Sequence, residues 1–283
     1  MKAIFIYNPS SGKGKFSKYF PRIKKELAST FSEMLFFCPE NEKEAIHVYE
    51  NEVSNCDALI VMGGDGSLNL AINELMKLNK KPILGYINAG TLGDGGKNFG
   101  VNKSLNDSLN IIKSMNVKKI DVGEVTFDDR KRYFLYCLAY GTYSSIPYVV
   151  KKKTHMRKFA YYFRSSKEMF KKKTFHFVCE ENETIFEKDS PFIMFLNGVN
   201  MGGFRLNKET KLDDGMIEGY FPKQSLFNGV LRFLPFKKEK AHLIKNIKIK
   251  PTDDGYWCLD GEKGGKGEVA ISVISNEISI FSR

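Results

Sequence analysis

One short stretch of the chain combines glycines with a carboxylate in a pattern suited to phosphate chemistry. It is "GGDGS", Gly63–Ser67, in which Asp65 stands among three glycines. Because glycine loses more conformational entropy on folding than other residues, such a cluster needs a compensating gain. Backbone amides in a glycine-rich turn can approach a phosphate closely, and a carboxylate beside them can bind magnesium, often through water. The pattern therefore predicts a phosphate-binding turn.

Two further turns have the same character. They are "NPSSGKG", Asn8–Gly14, and "NAGTLGDGGK", Asn88–Lys97. Each alone is equally typical of an ordinary strand-to-helix turn, and "NPSSGKG" does not satisfy the GxxxxGK[ST] pattern of a P-loop. Asp65 or Ser67 alone is equally typical of a helix cap. The three turns together predict a nucleotide or phosphate crevice.

Other residues could complete a phosphoryl transfer, which needs magnesium, phosphate-binding donors and a proton acceptor. In "LDGE", Leu259–Glu262, either Asp260 or Glu262 could take the proton of an acceptor hydroxyl. Read alone, Asp-Gly is a standard hairpin signal. Carboxylates that could gather around magnesium, and lysines that could offset charge, are Asp65, Asp94, Asp121, Lys13 and Lys97.

Strands and helices alternate in the first part of the chain, which predicts βαβ units with a parallel sheet. Apolar runs such as "KAIFIYN" and "ALIVM" indicate buried strands, and "LNLAINELMKL" has helical spacing. Ligands bind beyond the carboxyl ends of the strands in such sheets, and all three turns follow strand ends.

The pattern changes near Val117 to short strands divided by turn residues. The stretch "RYFLYCLAY" reads as one strand, and "EVAISVI" and "EISIFS" read as two. This predicts an antiparallel β-rich domain, with a boundary at about residue 120: residues 1–120 form the α/β domain and residues 121–283 the second domain.

Composition narrows the class of protein. With 283 residues and 42% hydrophobic residues, the chain can bury a sizeable core. The net charge of +11 suits a nucleic acid, an anionic membrane or a phosphorylated ligand. Five scattered cysteines without a CxxC favour reduced thiols in the cytoplasm. The uncharged stretch Tyr133–Val150 contains Gly141 and Pro147, so it indicates a buried strand followed by a turn and a short helix rather than a membrane span.

Taken in order, the motifs resemble those of the soluble bacterial diacylglycerol kinases, lipid kinases that share a catalytic domain with sphingosine kinases. The resemblance covers nearly the whole chain. "NPSSG" is similar to the family's Asn-Pro-x-Ser-Gly, "GGDGSLN" to Gly-Gly-Asp-Gly-Thr/Ser-x-Asn, and "LDGE" to its Asp-Gly-Glu. "KLDDGMI", Lys211–Ile217, is similar to an Asp-Asp-Gly segment of the family.

The resemblance implies a fold and a set of site residues. The first domain would be similar to NAD kinases and phosphofructokinases, the second would be a β-sandwich, and ATP would bind in the cleft between them. Lys211, Asp214 and the carbonyl of Met216 would match a structural magnesium site. The nucleotide-binding set is Asn8, Pro9, Ser10, Ser11, Gly12, Lys13, Gly63, Gly64, Asp65, Gly66, Ser67, Thr91 and Asp94; Asp65, Asp260 and Glu262 are the catalytic set, and Asp121 joins the metal ligands.

One segment departs from the family. "GTLGDGGKNFGV" aligns without gaps to Gly-Thr-x-Asn-Asp-Phe-Ala-Arg-x-x-Gly-Ile. Gly93 therefore replaces Asn, and Gly95 and Gly96 replace Phe and Ala, while Asp94 is kept. The missing side chains are expected to loosen this loop or to alter the lipid acceptor.

A basic amphipathic segment predicts contact with an anionic membrane. Residues 151–173 contain ten Lys or Arg and one acid, Glu168, with Met156, Phe159 and Phe163 on one helical face. Residues 231–240 are a second basic and aromatic stretch. Equally, such a helix could pack its aromatics on the sandwich and leave its lysines solvated. The resulting expectation is a cytoplasmic protein, peripheral at the inner face of the membrane, with a homodimer left open.

Three functions are consistent with these patterns. The first is an ATP- and Mg²⁺-dependent lipid kinase of phospholipid metabolism. The second is an NAD kinase, because that family shares the GGDG turn and "NAGTLG" echoes its Asn-x-Gly-x-Leu-Gly; its Thr-Gly-Ser-Thr-rich segment is missing here. The third is a basic nucleotide- or nucleic-acid-binding module, supported by charge alone, without an RNA-binding or helix-turn-helix signature. The first is preferred, with no nucleic acid as partner.

Overall fold

Two compact units make up the protein in a computed structural model. It describes residues 1–9, 11, 17–90, 93–101, 104–128, 130–141, 174–201, 204–205, 210–223 and 241–283. Unit 1 comprises Met1–Val122, Asn200–Phe204 and Ser275–Arg283, and unit 2 comprises Gly123–Val199 and Arg205–Ile274. The sequence predicted one boundary at about residue 120; here residues 200–204 and 275–283 also group with unit 1.

Unit 1 is an α/β unit with a mainly parallel sheet. Its elements are β1 (Lys2–Tyr7), α1 (Phe20–Ala28), β2 (Glu33–Phe37), α2 (Glu42–Asn51), β3 (Ala58–Gly63), α3 (Asp65–Leu75), β4 (Ile83–Asn88), α4 (Asp94–Asn98) and α5 (Leu105–Ser114), with 3-10 turns at Ser17–Tyr19 and Val53–Asn55. The strand order is β2-β1-β3-β4, and each of these neighbouring pairs is parallel.

Hydrophobic runs explain why the central strands of unit 1 lie where they do. All six residues of β3 are buried, as expected of a parallel strand covered on both faces. Around the sheet, α1 buries Ile23 and Leu27, which lie four residues apart on one helical face. Helix α2 begins where the Asn41 side chain accepts a hydrogen bond from the Glu44 N–H at 3.0 Å, a helix cap that the sequence pattern favours.

Unit 2 is built from antiparallel strands. The remaining strands of the chain are β5 (Val117–Phe127), β6 (Arg130–Phe134), β7 (Cys137–Gly141), β8 (Phe175–Glu181), β9 (Thr184–Ser190), β10 (Phe192–Leu196), β11 (Asn200–Met201), β12 (Phe204–Arg205), β13 (Ile217–Tyr220), β14 (His242–Ile244), β15 (Asn246–Pro251), β16 (Tyr256–Leu259), β17 (Glu262–Lys266) and β18 (Val269–Phe281). One sheet has the order β14-β13-β10-β7-β16-β17. In the other, β15 pairs with β18 and β8, β8 pairs with β9, and β5 pairs with β6.

The two sheets of unit 2 face one another across an aromatic core. Tyr140 on β7 lies with its ring centroid 5.0 Å from that of Trp257 and 5.8 Å from that of Phe177, which belongs to the facing sheet. Ile193 on β10 and Ile249 on β15 belong to the same buried cluster. The predicted fold class, an α/β domain followed by a β-sandwich, is confirmed unit by unit.

Three element predictions were wrong in detail. "RYFLYCLAY" is two strands, because the chain bends at Leu135 and Tyr136. The two strands predicted after Glu268 are the single strand β18, whose last residues lie in unit 1, where Ile280 pairs with Leu84 of β4 in parallel. Helix α4, which begins at Asp94, lies in a stretch that the sequence indicated only as a turn.

Candidate active site

The turns that follow β3 and β4 lie in direct contact at one edge of the unit 1 sheet. A Cβ atom on Gly90 would lie 2.8 Å from the Cα atom of Gly64, closer than real contacts allow. The Gly90 N–H donates to Asn88 Oδ1 at 2.9 Å. Two glycines at this crossing therefore bring two backbone turns together at the carboxyl ends of neighbouring strands, where open α/β sheets bind their ligands.

Asp65 is the first residue of α3 and the acceptor that ties these two turns to each other. Its carboxylate accepts the Gly93 N–H at 3.1 Å and the Gly95 N–H at 3.0 Å. Gly93 precedes α4 and Gly95 lies in its first turn, so the side chain of one helix start holds the backbone of the next. The "GGDGS" turn therefore positions its acid by tertiary hydrogen bonds as well as by sequence.

A second carboxylate lies close to Asp65. The buried Asp94 side chain forms an ion pair with Lys97, with Nζ 3.3 Å from Oδ1. Burial raises the pKa of Asp65, the N–H groups of Gly95 and Gly93 oppose that rise, and the charge of Asp94 adds to it. Two neighbouring, partly desolvated carboxylates favour binding of a further cation.

The first predicted turn meets the second through side chains. Asn8 donates from Nδ2 to Ser67 Oγ at 3.2 Å, and the Ser11 N–H donates to the Asn8 carbonyl at 3.1 Å. A Cβ atom on Gly63 would lie 3.6 Å from Ser11 Oγ and 2.4 Å from Ser67 Oγ. Pro9 lies in the same turn and Gly66 is exposed in the first turn of α3. Four predicted nucleotide-binding residues lie outside the described residues: Ser10, Gly12, Lys13 and Thr91.

The glycines that replace larger residues of the family motif are closely packed. A Cβ atom on Gly95 would lie 2.5 Å from Leu68 Cδ2, and one on Gly96 would lie 3.0 Å from Tyr86 Cε1. One on Gly93 would lie 1.8 Å from Asn88 Nδ2. Neighbouring side chains therefore fill the space that residues at these three positions would occupy. The predicted nucleotide-binding set did not include Asn88, although it begins the turn "NAGTLGDGGK" at the end of β4.

In unit 2, Asp260 serves as an internal clamp. Its carboxylate accepts three consecutive backbone N–H groups, those of Leu135, Tyr136 and Cys137, at 2.7, 3.0 and 2.9 Å. The Asp260 N–H donates to the Cys137 carbonyl at 2.8 Å, and the side chain is only 4% exposed. The bend between β6 and β7 has N–H groups outside the strand ladders, and this carboxylate satisfies them.

Asp260 and Gly261 also form the two-residue turn of the β16–β17 hairpin. Both have positive φ, +48° and +84°, as a type I′ turn requires. Leu259 pairs with Glu262 across the turn, and Glu262 is a partly exposed residue at the start of β17. The backbone of "LDGE" is thus a hairpin turn. Asp260 is buried in this turn, whereas Glu262 is partly exposed at the start of β17.

The other predicted metal ligands lie in two places. Asp121 is buried on β5, where its Oδ1 accepts the Asn276 N–H at 2.7 Å. Lys211 and Asp214 are exposed, and Asp214 Oδ1 accepts the Met216 N–H at 3.1 Å. Among the described residues, no group of three or more His, Cys, Asp or Glu side chains has the arrangement of a metal site.

Two buried oxygen atoms flank the Lys211–Met216 loop. They are Thr210 Oγ1 and Glu218 Oε2, and the Thr210 side chain interacts with the Glu218 carboxyl group. Burial raises the pKa of Glu218 to about 7, and the charge of Asp214 adds to that rise. The loop and its two flanks therefore offer oxygen atoms, the donor type that magnesium prefers.

The parallel sheet and the turns at its carboxyl edge define unit 1 as an α/β class of domain. Within that class, residues 2–125 match the family model described as the diacylglycerol kinase catalytic domain. Over 99% of this chain and 92% of the relative, the sequence is 27% identical to diacylglycerol kinases of Staphylococcus epidermidis (strain RP62A) and of Staphylococcus aureus (strain bovine RF122). A crystal structure of a diacylglycerol kinase from Bacillus anthracis str. Sterne superposes with a TM-score of 0.83 at 22% identity, covering 100% of this chain and 97% of that one.

These matches agree with the motifs on which the resemblance was based. Over nearly its whole length the chain is similar to bacterial diacylglycerol kinases, and residues 2–125 match the catalytic domain of that family. No helix in the described part of the chain has the length and apolar character needed to cross a membrane. The two segments predicted to contact a membrane, residues 151–173 and 231–240, lie outside the described residues.

Proposed function

We propose that this protein is an ATP-dependent lipid kinase, which transfers the γ-phosphoryl group of ATP to the hydroxyl of diacylglycerol or a related membrane lipid. The observation that carries the proposal is the Asp65 carboxylate, held by the Gly93 and Gly95 N–H groups where two glycine turns cross. The names of the curated relatives support the lipid acceptor. The match over residues 2–125 supports the kinase chemistry.

The nucleotide phosphates would take the backbone donors of the three turns. The predicted set lies in these turns, where Pro9 has no N–H to donate: Asn8, Pro9, Ser10, Ser11, Gly12, Lys13, Gly63, Gly64, Asp65, Gly66, Ser67, Thr91 and Asp94. Asp65 would orient the turns and attract the cation that accompanies the phosphates. Each turn would add a small contribution to phosphate binding. Because the turns cross, their hydrogen-bond donors would be in place before the nucleotide binds.

In the reaction, the lipid hydroxyl oxygen bonds to the γ-phosphorus while the bond from that phosphorus to the β,γ-bridging oxygen breaks. ADP leaves with the electron pair of the broken bond, and the hydroxyl proton passes to a base. We assign the base to Glu262, because the Asp260 carboxylate already accepts three backbone N–H groups. Asp260 would then maintain the hairpin on which Glu262 stands.

Magnesium fits the residues of two sites. In the Lys211–Met216 loop the proposed ligands are the carbonyls of Lys211 and Met216 with the Asp214 carboxylate, beside the buried oxygen atoms of Thr210 and Glu218. A second ion would be held through water by Asp65 and Asp94, with Asp121 as a further candidate. Magnesium supplies positive charge that offsets the negative charge of the phosphates.

The membrane is the proposed location of the acceptor. The net charge of +11 favours attraction to an anionic leaflet, at about 1 kcal/mol for each basic residue near the surface. We propose peripheral binding at the inner face of the cytoplasmic membrane through the basic segments, without nucleic acid as a partner. A homodimer is compatible with this arrangement.

A screen with labelled ATP tests the function. Purified protein is incubated with Mg-ATP and diacylglycerol, phosphatidylglycerol, polyprenol or sphingoid bases in anionic vesicles, and lipid labelling is measured. We expect one lipid class to be labelled, and Asp65→Ala to reduce the labelling at least 100-fold. The matched control is Asp254→Ala, since that carboxylate is 85% exposed and paired with Lys266. A parallel incubation with NAD detects NADP.

The outcomes separate the candidate functions. A folded, magnesium-loaded protein that labels no lipid refutes the lipid kinase, and formation of NADP would support the second candidate instead. Labelling that persists in Asp65→Ala removes Asp65 from the mechanism. Salt-dependent binding of nucleic acid, without any kinase activity, would favour a binding module.

A further inference from the structure

Asn88 carries a polar group for which the described residues offer no partner. It ends β4, its side chain is 3% exposed, and its Oδ1 accepts the Gly90 N–H at 2.9 Å. Because Gly90 donates to one atom of the amide, that atom is the oxygen and the other is the nitrogen. Asn88 Nδ2 is buried and has no hydrogen-bond partner within the described part of the chain. A buried donor without an acceptor destabilises the free protein, so its retention needs a cause.

The Asn88 amide lies directly against Gly93. A Cβ atom on Gly93 would lie 1.8 Å from Asn88 Nδ2, 2.7 Å from Cγ and 3.0 Å from Oδ1. The Asn88 carboxamide therefore occupies the volume in which any side chain at position 93 would begin. The family motif that aligns here has Asn at position 93, and in this chain the Asn88 carboxamide lies where the side chain of that Asn would begin.

The backbone conformation at Gly93 is one that Asn, the residue of the family motif at this position, can also adopt. Its φ of +64° lies in the left-handed region, which Asn tolerates better than most residues. Asn at 93 is thus permitted by the backbone, and the three atoms nearest to its Cβ would all belong to the Asn88 side chain. The same glycine donates its N–H to Asp65, so the carboxamide lies beside the acid of the crossing turns.

We propose that Asn88 is a nucleotide-binding residue, whose Nδ2 donates to a phosphate oxygen of ATP and stands in for the Asn that the family motif has at position 93. The surroundings suit an anionic acceptor, because the crossing turns at Gly64 and Gly90 are typical of phosphate-binding backbone. The inference rests on the proposed use of ATP, but it does not depend on which lipid is the acceptor.

Four variants test the exchange: Asn88→Ala, Gly93→Asn, Asn88→Ala with Gly93→Asn, and Asn88→Ala with Gly93→Ala. Dissociation constants for ATP are measured by calorimetry without lipid, together with melting temperatures and, in the lipid assay, KM for ATP and kcat. We expect Asn88→Ala to weaken ATP binding about 10- to 100-fold, since it loses a hydrogen bond to a charged group. Gly93→Asn alone should melt at a lower temperature, because its side chain collides with Asn88.

The two double variants test whether a carboxamide at position 93 can replace that of Asn88. Restoring the carboxamide at position 93 should return ATP affinity to within about threefold of the wild type, with KM recovering more than kcat. The double variant with Ala at 93 removes the collision but carries no donor, so its affinity should stay as low as that of Asn88→Ala. Equal affinities of the two double variants would overturn the proposal, as would wild-type affinity in Asn88→Ala. Wild-type protein that binds ATP but labels no lipid refutes only the proposed acceptor, and one that binds no ATP refutes both.

Discussion

Replacing Asp260 by Asn should unfold unit 2 before it affects catalysis directly. Asn tolerates the left-handed backbone at this position, so the φ of +48° need not change. The amide oxygen can still accept the N–H groups of Tyr136 and Cys137, but the amide nitrogen then faces the Leu135 N–H. The Leu135 N–H loses its acceptor and the new amide N–H₂ has none, at about 1–3 kcal/mol for each buried donor, so we expect a loss of about 2–6 kcal/mol in the free energy of unfolding.

The assay uses a probe that the chain supplies. Trp257 is the only tryptophan, it is fully buried in unit 2, and it lies two residues before the end of β16. Its fluorescence during urea unfolding therefore reports the unit that Asp260 clamps. The matched variant is Glu262→Gln, which should change the unfolding free energy by less than about 1 kcal/mol and lower kcat by about 10²–10⁴-fold.

The reverse result would refute the assignment. Asp260→Asn with wild-type unfolding and no kinase activity would make Asp260 the base. Glu262→Gln with wild-type kcat would remove Glu262 from the proton transfer. If Asp260→Asn is assayed at low temperature, where most molecules are still folded, its remaining activity per folded molecule should be close to that of the wild type.

Three further changes have expected outcomes. Gly90→Ala should raise KM for ATP at least tenfold with an unchanged far-UV circular dichroism spectrum, because its Cβ meets the Gly64 backbone at 2.8 Å, whereas Gly64→Ala makes only an ordinary 3.5 Å contact and should be milder. EDTA should lower the melting temperature of the wild type but not that of Asp214→Ala, since magnesium at 100 times its Kd stabilises by about 2.7 kcal/mol; equal shifts would contradict the loop site. In EDTA, the free energy of unfolding should fall by about 3 kcal/mol as the pH rises from about 4.5 to about 7. Burial raises the pKa of Glu218 to about 7, so over this range the folded state holds a proton that the unfolded state has lost. Glu218→Gln should flatten this dependence on pH, and an unchanged slope in that variant would contradict the role of Glu218.

Local patterns in the sequence predicted the parts of the fold that local physics determines. The buried run of β3 and the helical spacing of α3 place the turn that holds Asp65 between them, and both elements are present. The Asp-Gly signal was equally typical of a hairpin, and β16 and β17 form one. In these elements, residue preference and hydrophobic spacing agree with the final structure.

The start of α4 and the bend at Leu135, which the sequence did not predict, both depend on contacts between residues far apart in the chain. Helix α4 begins where Asp65 accepts the N–H groups of Gly93 and Gly95, and this acceptor lies far away in the sequence. The bend at Leu135 depends in the same way on the carboxylate of Asp260. No local pattern at either stretch encodes its partner, so helix start and strand break are both tertiary effects.

The pairing of Ile280 with Leu84 has a consequence for how the chain folds during its synthesis. When β1 to β4 have left the ribosome, β4 still lacks the neighbour that β18 later supplies, and its unpaired backbone is an edge open to other chains. All of unit 2 must be made before residues 275–281 can cover that edge. Such long-range closure is slow and exposes the nascent chain to aggregation. We therefore expect deletion of residues 275–283 to yield aggregated protein, even though no site residue is removed.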